Sequence, residues 1–141
     1  MDTFNFIGTY THKVDSKNRI TVPAEFMKQL GDNRTIIVSQ VSVSHKDILA
    51  VFPNDEIFAA NIGSYLAINK DENDIFYDRY ISSLIKRITI DVANRMALKK
   101  MITVPDDRIL KLVGRRDLFE IWHVDDFEQY LSDGFELHKK L

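Results

Sequence analysis

The 141-residue chain contains no cysteine. That excludes disulfides, thiolate metal ligands and a cysteine nucleophile. Glycine is scarce, at five residues; there is no glycine-rich phosphate loop and no serine elbow. Long hydrophobic runs are missing as well. Stretches such as Thr35 to Val43 are far too short to span a bilayer, so no membrane partner is expected. The opening Met1-Asp2-Thr3-Phe4-Asn5 has no basic stretch followed by an apolar core, so no signal peptide is expected. The four histidines, His12, His45, His123 and His138, lack ligand spacing, so neither a metal nor another cofactor is expected. Asp55-Glu56, Asp106-Asp107 and Asp125-Asp126 read as helix-start or loop carboxylates rather than an acid/base pair. With no arranged nucleophile, base and orienting group, an enzyme with a small-molecule substrate ranks last among the readings.

A basic excess is also missing: the formal net charge is -2, whereas nucleic-acid binders usually show the opposite. The charge is segregated instead. Lys13, Lys17 and Arg19 stand against Asp15 alone. Lys86, Arg87, Arg95, Lys99 and Lys100 stand against Asp91 alone. The acid lies elsewhere, in Asp71-Glu72-Asn73-Asp74 and Asp125-Asp126. Local field, not net charge, decides whether a phosphate is attracted.

What is present is a globular balance, 45% hydrophobic and 28% charged, enough for one ordinary domain or two small ones. It carries an internal repeat. Asp15-Ser16-Lys17-Asn18-Arg19 recurs as Asp91-Val92-Ala93-Asn94-Arg95. Chance alone predicts about 0.05 occurrences of such an Asp-x-x-Asn-Arg pattern in a chain of this composition. The flanks repeat too: Leu49 to Ile57 and Leu118 to Phe127 are each an apolar strand running into an acidic helix start. Asn54 or Asp55, and Asp125, can cap those helices.

Each half therefore reads as strand, turn, strand, short helix, hairpin, helix. Ile7 to Val14 alternates as a strand, Asp15 to Asn18 turns, and Arg19 to Val22 returns. Pro23 opens a helix that Gly31 stops. Thr35 to Val43 and Ile48 to Phe52 make a hairpin. A helix is expected from about Asn73 to Lys86, with an apolar stripe of Ile75, Phe76, Tyr80, Leu84 and Ile85. In the second half, Ile102-Thr103-Val104-Pro105 copies Ile20-Thr21-Val22-Pro23, but aligning the two would cost the repeat a strand. The ungapped reading makes Met96 to Leu98 the returning strand and Lys99 to Thr103 a very short helix. Arg108 to Val113 and Leu118 to Trp122 then form a hairpin around Gly114 to Asp117. Phe119 and Trp122 read as core or subunit-interface residues. From Phe127 an amphipathic helix runs through Tyr130 and Leu131 and then frays. Halves of about 60 residues bury only marginal cores, so they should lean on each other or on other subunits.

The turns carry the candidate chemistry. Asp15 can accept turn amide hydrogens, and Asn18 tolerates a left-handed backbone. Arg19 then begins the returning strand with its guanidinium near the turn, a fork that suits a phosphate or the O6/N7 edge of guanine. Thr11, His12, Lys13, Ser16 and Lys17 add donors on the same edge. Arg87, Lys99 and Lys100 are expected around Arg95. Residue types alone leave a second reading open, in which each Asp and Arg form only a structural ion pair and the lysines a solvated face.

The stretch Phe6-Ile7-Gly8-Thr9-Tyr10-Thr11-His12-Lys13-Val14-Asp15-Ser16-Lys17-Asn18-Arg19-Ile20-Thr21-Val22-Pro23-Ala24-Glu25-Phe26 closely resembles the start of the bacterial MraZ proteins. Those are transcriptional regulators encoded at the head of the division and cell-wall gene cluster. Val51-Phe52-Pro53 and Phe119-Glu120-Ile121-Trp122 fit the same family. The resemblance implies a mainly β fold with short helices (α+β), built as two pseudo-symmetric SpoVT/AbrB-like swapped-hairpin, double-psi-like barrel repeats. These would occupy residues 5–62 and 87–131, with a linker and helix at 63–86 and a tail at 132–141. It also implies a cytoplasmic, nucleoid-associated homo-oligomeric ring that binds repeated boxes of double-stranded DNA in its own promoter. The family's Asp-x-x-x-Arg residues fall on Asp15 with Arg19 and on Asp91 with Arg95. The DNA-contacting set so implied is Arg19, Lys17, Lys13, Asp15, Asn18, Arg95, Asp91 and Lys99. The chain departs from the family pattern in three ways. Asn18 and Asn94 replace the usual glycine, which the same backbone accepts, Lys99 replaces a proline, and Ser82-Ser83 only loosely meets a small-residue pattern. The last two rank Arg19 above Arg95. An antitoxin of the same fold usually carries a disordered tail, which the C-terminal helix and short charged tip argue against. A scaffold without a DNA role is the remaining alternative.

Overall fold

β1 (Thr9–Lys13) runs into the turn at Asp15, and β2 (Arg19–Thr21) returns from it. Pro23, at φ -55°, precedes α1 (Ala24–Leu30), and Gly31, at φ 62°, ends that helix. The ring of proline fixes the first angle and the missing side chain of glycine permits the second. β3 (Thr35–Val43) and β4 (Lys46–Phe52) follow as a hairpin, then α2 (Asp55–Asn61) and a 3-10 turn at Ile62–Tyr65. The expected cap is Asn54, whose side chain accepts from the Ile57 amide at 2.8 Å. After α3 (Asp74–Leu84) come β5 (Ile85–Thr89), β6 (Arg95–Ala97), β7 (Ile109–Gly114), β8 (Phe119–His123) and α4 (Val124–Lys139). This computed structural model describes residues 3–66 and 74–139. The acidic run at 71–73 and the expected helix start at Asn73 lie outside the described residues.

Six strands form one antiparallel sheet in the order β1-β7-β8-β4-β3-β5, and β2 pairs with β6 as a separate ribbon. Strands from the two halves of the chain interleave in the sheet and pair in the ribbon. β1 pairs with β7, β8 with β4, and β3 with β5. Both faces of the sheet are covered. Ile36, Val38, Leu49, Val51, Leu110, Leu112, Phe119 and Ile121 face one core together with Ile20, Met96 and Phe26 from the ribbon and α1. Ile37, Ile48, Ala50, Phe52 and Trp122 face the other, under Phe127 of α4 and Ile62. That explains the unbroken apolar run Ile48 to Phe52: a strand covered on both sides loses its polar alternation.

Asp125 lies inside the first turn of α4 rather than capping it, and three whole segments also depart from the sequence expectation. The helix expected through Lys86 stops at Leu84, and Ile85–Thr89 is a strand with Ile85 opposite Ser39 and Thr89 opposite Thr35. The β-branched residues Ile85, Ile88 and Thr89 suit a strand, and the partner fifty residues earlier wins over local helical periodicity. Of the expected stripe, Ile75 and Phe76 are exposed. The short helix expected at Lys99 to Thr103 is absent. Lys99 and Lys100 are left-handed, at φ 51° and 59°, which a right-handed helix cannot contain. The segment instead buries Met101 and Ile102 in the first core. Finally, α4 does not fray after Leu131 but continues to Lys139. Gln129 bonds Asp133 one turn on at 2.7 Å, and His138 and Lys139 sit at the negative end of the helix.

The returning strand follows the ungapped reading. Ile20 faces Met96, and Thr21 faces Arg95. The second Ile-Thr-Val-Pro lies outside any strand.

Gly114 marks a close crossing. Phe6 exchanges backbone hydrogen bonds with Arg116 at 2.7 and 2.9 Å. A methyl group on Gly114 would meet the Phe6 carbonyl and lie 2.7 Å from the Ile7 nitrogen. Since these are backbone atoms, no side-chain rotation relieves the clash. Gly114→Ala is expected to destabilise the fold by about 1–3 kcal/mol, read as a lower urea midpoint at unchanged m-value. An unchanged midpoint would show that the N-terminal segment can move away freely.

Candidate nucleic-acid interface

The two Asp-x-x-Asn-Arg turns are built alike, bond for bond. The Asn18 amide donates to the Asp15 carbonyl at 3.0 Å, and the Asn94 amide to the Asp91 carbonyl at 2.9 Å. The Asp15 amide donates to the Arg19 carbonyl at 2.9 Å, and the Asp91 amide to the Arg95 carbonyl at 3.0 Å. Oδ1 of Asp15 accepts from the Lys17 and Arg19 amides, both at 2.9 Å. Oδ1 of Asp91 accepts from Ala93 and Arg95 at 3.0 and 2.9 Å. Each remaining Oδ2 accepts from Nε of its own arginine, at 2.8 Å in the first turn and 2.9 Å in the second. Asn18 and Asn94 are left-handed, at φ 58° and 62°, the conformation for which asparagine is among the least unfavourable residues with a side chain.

The β2–β6 ribbon sets these turns side by side. Val22 donates to the Asn94 carbonyl at 2.8 Å and Leu98 to the Asn18 carbonyl at 3.0 Å. Nη1 of Arg19 comes within 3.9 Å of Asp91, and Nη1 of Arg95 within 4.0 Å of Asp15. The four side chains thus form a closed ring of alternating charge. Each arginine spends Nε on its own aspartate and leans Nη1 toward the other, while Nη2 has no protein hydrogen-bond partner among the described residues. The arginine side chains remain about a third exposed, 27% for Arg19 and 34% for Arg95. Those outer edges can meet a planar or tetrahedral anion without breaking the turn.

The amides of Arg19 and Arg95 are the main cause that holds the Asp15 and Asp91 carboxyls below the usual value of 3.8; desolvation opposes them, and the guanidinium bonds add to the lowering. A carboxylate lowered on folding stabilises the native state above its unfolded pKa, and that contribution disappears as pH falls through the folded one. Stability should therefore decline below about pH 4. The decline should be shallower in D15N/D91N, measured by urea unfolding at stepped pH. An identical acid profile in that double variant would show that the turns do not contribute to it.

The lysines distribute unevenly. Lys13 and Lys17 are exposed, as are Lys99 and Lys100, and none forms an ion pair among the described residues. Because Arg19 faces Ala97, the chain just beyond β6 carries Lys99 toward the Lys17 side of the ribbon. The second turn has Val92, fully exposed, and Ala93 at the corresponding tip. Arg87 does not join Arg95 as expected. β5 places it opposite Ile37, and its guanidinium pairs with Asp55 at 2.8 Å. The histidines serve as ties: Nδ1 of His12 meets the Thr21 carbonyl at 2.7 Å. His123 bridges Asp126 and the Thr103 carbonyl, steadying the segment that carries Lys99.

Two further arginines, not singled out in the sequence, complete the arrangement. Arg108 donates from Nε to the Val14 carbonyl at 3.2 Å. Its Nη2 donates to the Asp15 carbonyl at 2.5 Å and to Oδ1 of Asn18 at 2.9 Å. Arg34 donates from Nη1 to the Asp91 carbonyl at 3.4 Å and to Oδ1 of Asn94 at 2.5 Å. Their backbones match as well, since Val14 donates to the Arg108 carbonyl and Ile90 to the Arg34 carbonyl, both at 2.7 Å. A signal did exist. Each follows an Asx residue that turns the chain into a strand, Asn33 before Thr35 and Asp107 before Ile109.

The model of the MraZ protein family, described as antitoxin-like, matches residues 5–60. A transcriptional regulator MraZ of Ureaplasma parvum serovar 3 is 32% identical over 138 residues, covering 91% of this chain and 92% of the relative. The chain belongs to the MraZ family. Regulators of the same name from Corynebacterium urealyticum and Mycoplasmoides gallisepticum are 29% and 26% identical. They cover 89% and 96% of this chain, and 85% and 94% of their own lengths. The MraZ relatives are named as transcriptional regulators, a non-enzymatic class. This MraZ chain has the mainly β fold with short helices expected of it. Among its described residues, no helix is long and apolar enough to cross a membrane.

Proposed function

We propose that the chain is a sequence-specific DNA-binding transcriptional regulator and that the paired turns are its contact surface. The observation that carries this reading is the ring of Asp15, Arg19, Asp91 and Arg95, with the Nη2 edges of both arginines left over. A structural ion pair alone would not need two such forks side by side. Arg19 and Arg95 read a base edge or clamp phosphate, Asp15, Asn18 and Asp91 hold them in place, and Lys13, Lys17 and Lys99 hold the DNA backbone. The regulatory name of the relatives supports the same reading.

In this proposal residues 5–62 and 87–131 are two AbrB-like repeats whose hairpins interlock through the shared sheet. The protein acts as a homo-oligomeric ring in the cytoplasm, associated with the nucleoid, on repeated boxes in its own promoter. Exposed apolar side chains on α3 and α4, among them Ile75, Tyr130, Leu131, Phe135 and Leu137, give such an assembly a surface to bury. Each added turn then engages at high effective concentration when the boxes match the subunit spacing. The test is a gel shift with the duplex upstream of the chain's own gene, at low salt and then at increasing salt. Binding that falls steeply with salt is expected. No shift at low salt would favour an interaction scaffold without a DNA role.

A further inference from the structure

We infer that Arg108 and Arg34 are positioning residues that set the pose of the two turns, each reaching across from the opposite half of the chain. The consequence for DNA rests on the function proposed above. The geometry does not. Arg108 follows β6 in the chain yet bonds the turn before β2, and Arg34 precedes β3 yet bonds the turn before β6. The turns are therefore set crosswise.

Chemistry explains why arginine suits this task. The Asp15 and Asp91 carbonyls each accept the asparagine amide that closes the turn, and each also accepts from the guanidinium of Arg108 or Arg34. A planar group with several donors can hold such a carbonyl and a neighbouring side chain at once. The same group holds Oδ1 of the asparagine that immediately precedes Arg19 or Arg95. Those asparagines are left-handed, a conformation a non-glycine residue adopts only when its surroundings favour it. A bond to the side chain keeps the residue there, and the next residue's guanidinium inherits the direction. Arg108 donates to two backbone carbonyls and one amide oxygen from one planar group. Lysine carries the same charge but has a single tetrahedral ammonium and no such fork.

The experiment combines two readouts on the full chain. Amide hydrogen exchange by NMR is measured without DNA on R108A, R108K, R34A and R34K. The R108 variants are expected to speed exchange at Asn18 and Arg19 by about tenfold, the scale of one lost charge-assisted hydrogen bond, while Asn94 and Arg95 stay near their original rates. The R34 variants should show the reverse. Asn18→Gly keeps a residue that tolerates φ 58° but removes the acceptor, and it should loosen the first turn in the same direction. Equal changes in both turns, or none, would overturn the inference. So would an R108K protein that exchanges like the original, because charge alone would then suffice.

The second readout is anisotropy with a labelled duplex of the chain's own upstream region over a salt series. R108A and R108K should both weaken binding by about tenfold at an unchanged slope of log affinity against log salt. A slope smaller by about one would make Arg108 a phosphate contact instead. If the unmodified protein binds no duplex, the proposed function fails, while the exchange pattern still decides whether these arginines position the turns.

Discussion

Arg19→Ala is expected to abolish the shift of the upstream duplex while leaving the mass in solution and the melting temperature close to those of the original protein. One guanidinium fork on a base edge contributes about 1–3 kcal/mol of discrimination. In the ring proposed above the loss would be repeated at every subunit, so the decrement per turn would compound across the assembly. The fold should tolerate the change because Arg19 is partly exposed, and a partly exposed ion pair stabilises little. Asp15 keeps its bonds from the amides of residues 17 and 19, which are backbone donors that alanine retains. Lysine at 19 separates the two modes of contact. It should restore most binding if the partner is a phosphate, and little if it is the O6/N7 edge of guanine. Unchanged binding by the alanine variant would remove Arg19 from the interface.

The same experiment on Arg95 examines a ranking that the sequence suggested. Lys99 in place of a proline and the loosely matched Ser82-Ser83 set the second turn below the first. The bonds within the two turns are the same, and the guanidinium of Arg95 is slightly the more exposed. R95A should then weaken binding to a similar degree as R19A. What remains unequal lies around the turns, lysines near Ser16-Lys17 and an exposed Val92 beside Ala93. That difference should appear in the salt slope. Removing Lys17 or Lys99 should each flatten it by about one, uniformly across DNA sequences.

Legibility in the sequence follows the range of the interactions. An Asp-x-x-Asn-Arg turn closes on itself within five residues, so its carboxylate, its left-handed asparagine and its arginine can be read from local chemistry. Asn54 capping α2 and Gly31 ending α1 are legible for the same reason. β5 was not, because Ile85 to Thr89 becomes a strand only when β3 lies beside it. Arg87 is misplaced by the same omission: once β5 is a strand, its guanidinium meets Asp55 instead of the second turn. Lys99 to Thr103 reads as a short helix only by analogy with the first repeat, but burying Met101 and Ile102 decides its shape. The crosswise arginines were hardest of all. Arg108 touches residues ninety or more positions away, and only the Asx residue before it hints at the role.

Trp122→Ala is expected to have the largest effect on stability. Trp122 is 1% exposed on β8, with Phe127 at 5.1 Å and Tyr130 at 5.2 Å between ring centroids. Truncating a buried aromatic of this kind costs about 3–5 kcal/mol in lost burial and in the cavity left behind. A polar loss adds to it. Nε1 of Trp122 donates to Glu120 at 3.0 Å, and the other Glu120 oxygen accepts from the Tyr65 hydroxyl at 2.5 Å. Burial, with the Glu120 charge beside it, pushes the Tyr65 phenol far up, so it stays a donor at any working pH. Glu120 is itself 7% exposed, so losing one of its two donors leaves a buried carboxylate half satisfied. Since a domain of this size is stable by roughly 5–15 kcal/mol, a large share of that margin would go. Urea unfolding should show a much lower midpoint. Trp122→Phe, which keeps an aromatic ring but drops the N–H and part of the indole's bulk, should lose less than the alanine variant, about 1–3 kcal/mol. Because β8 also carries His123, which ties the Thr103 carbonyl, loosening at Trp122 should reach the Lys99 segment. The alanine variant should show faster exchange there than the phenylalanine variant. An alanine variant within about 1 kcal/mol of the original would mean that α4 closes over the cavity without cost.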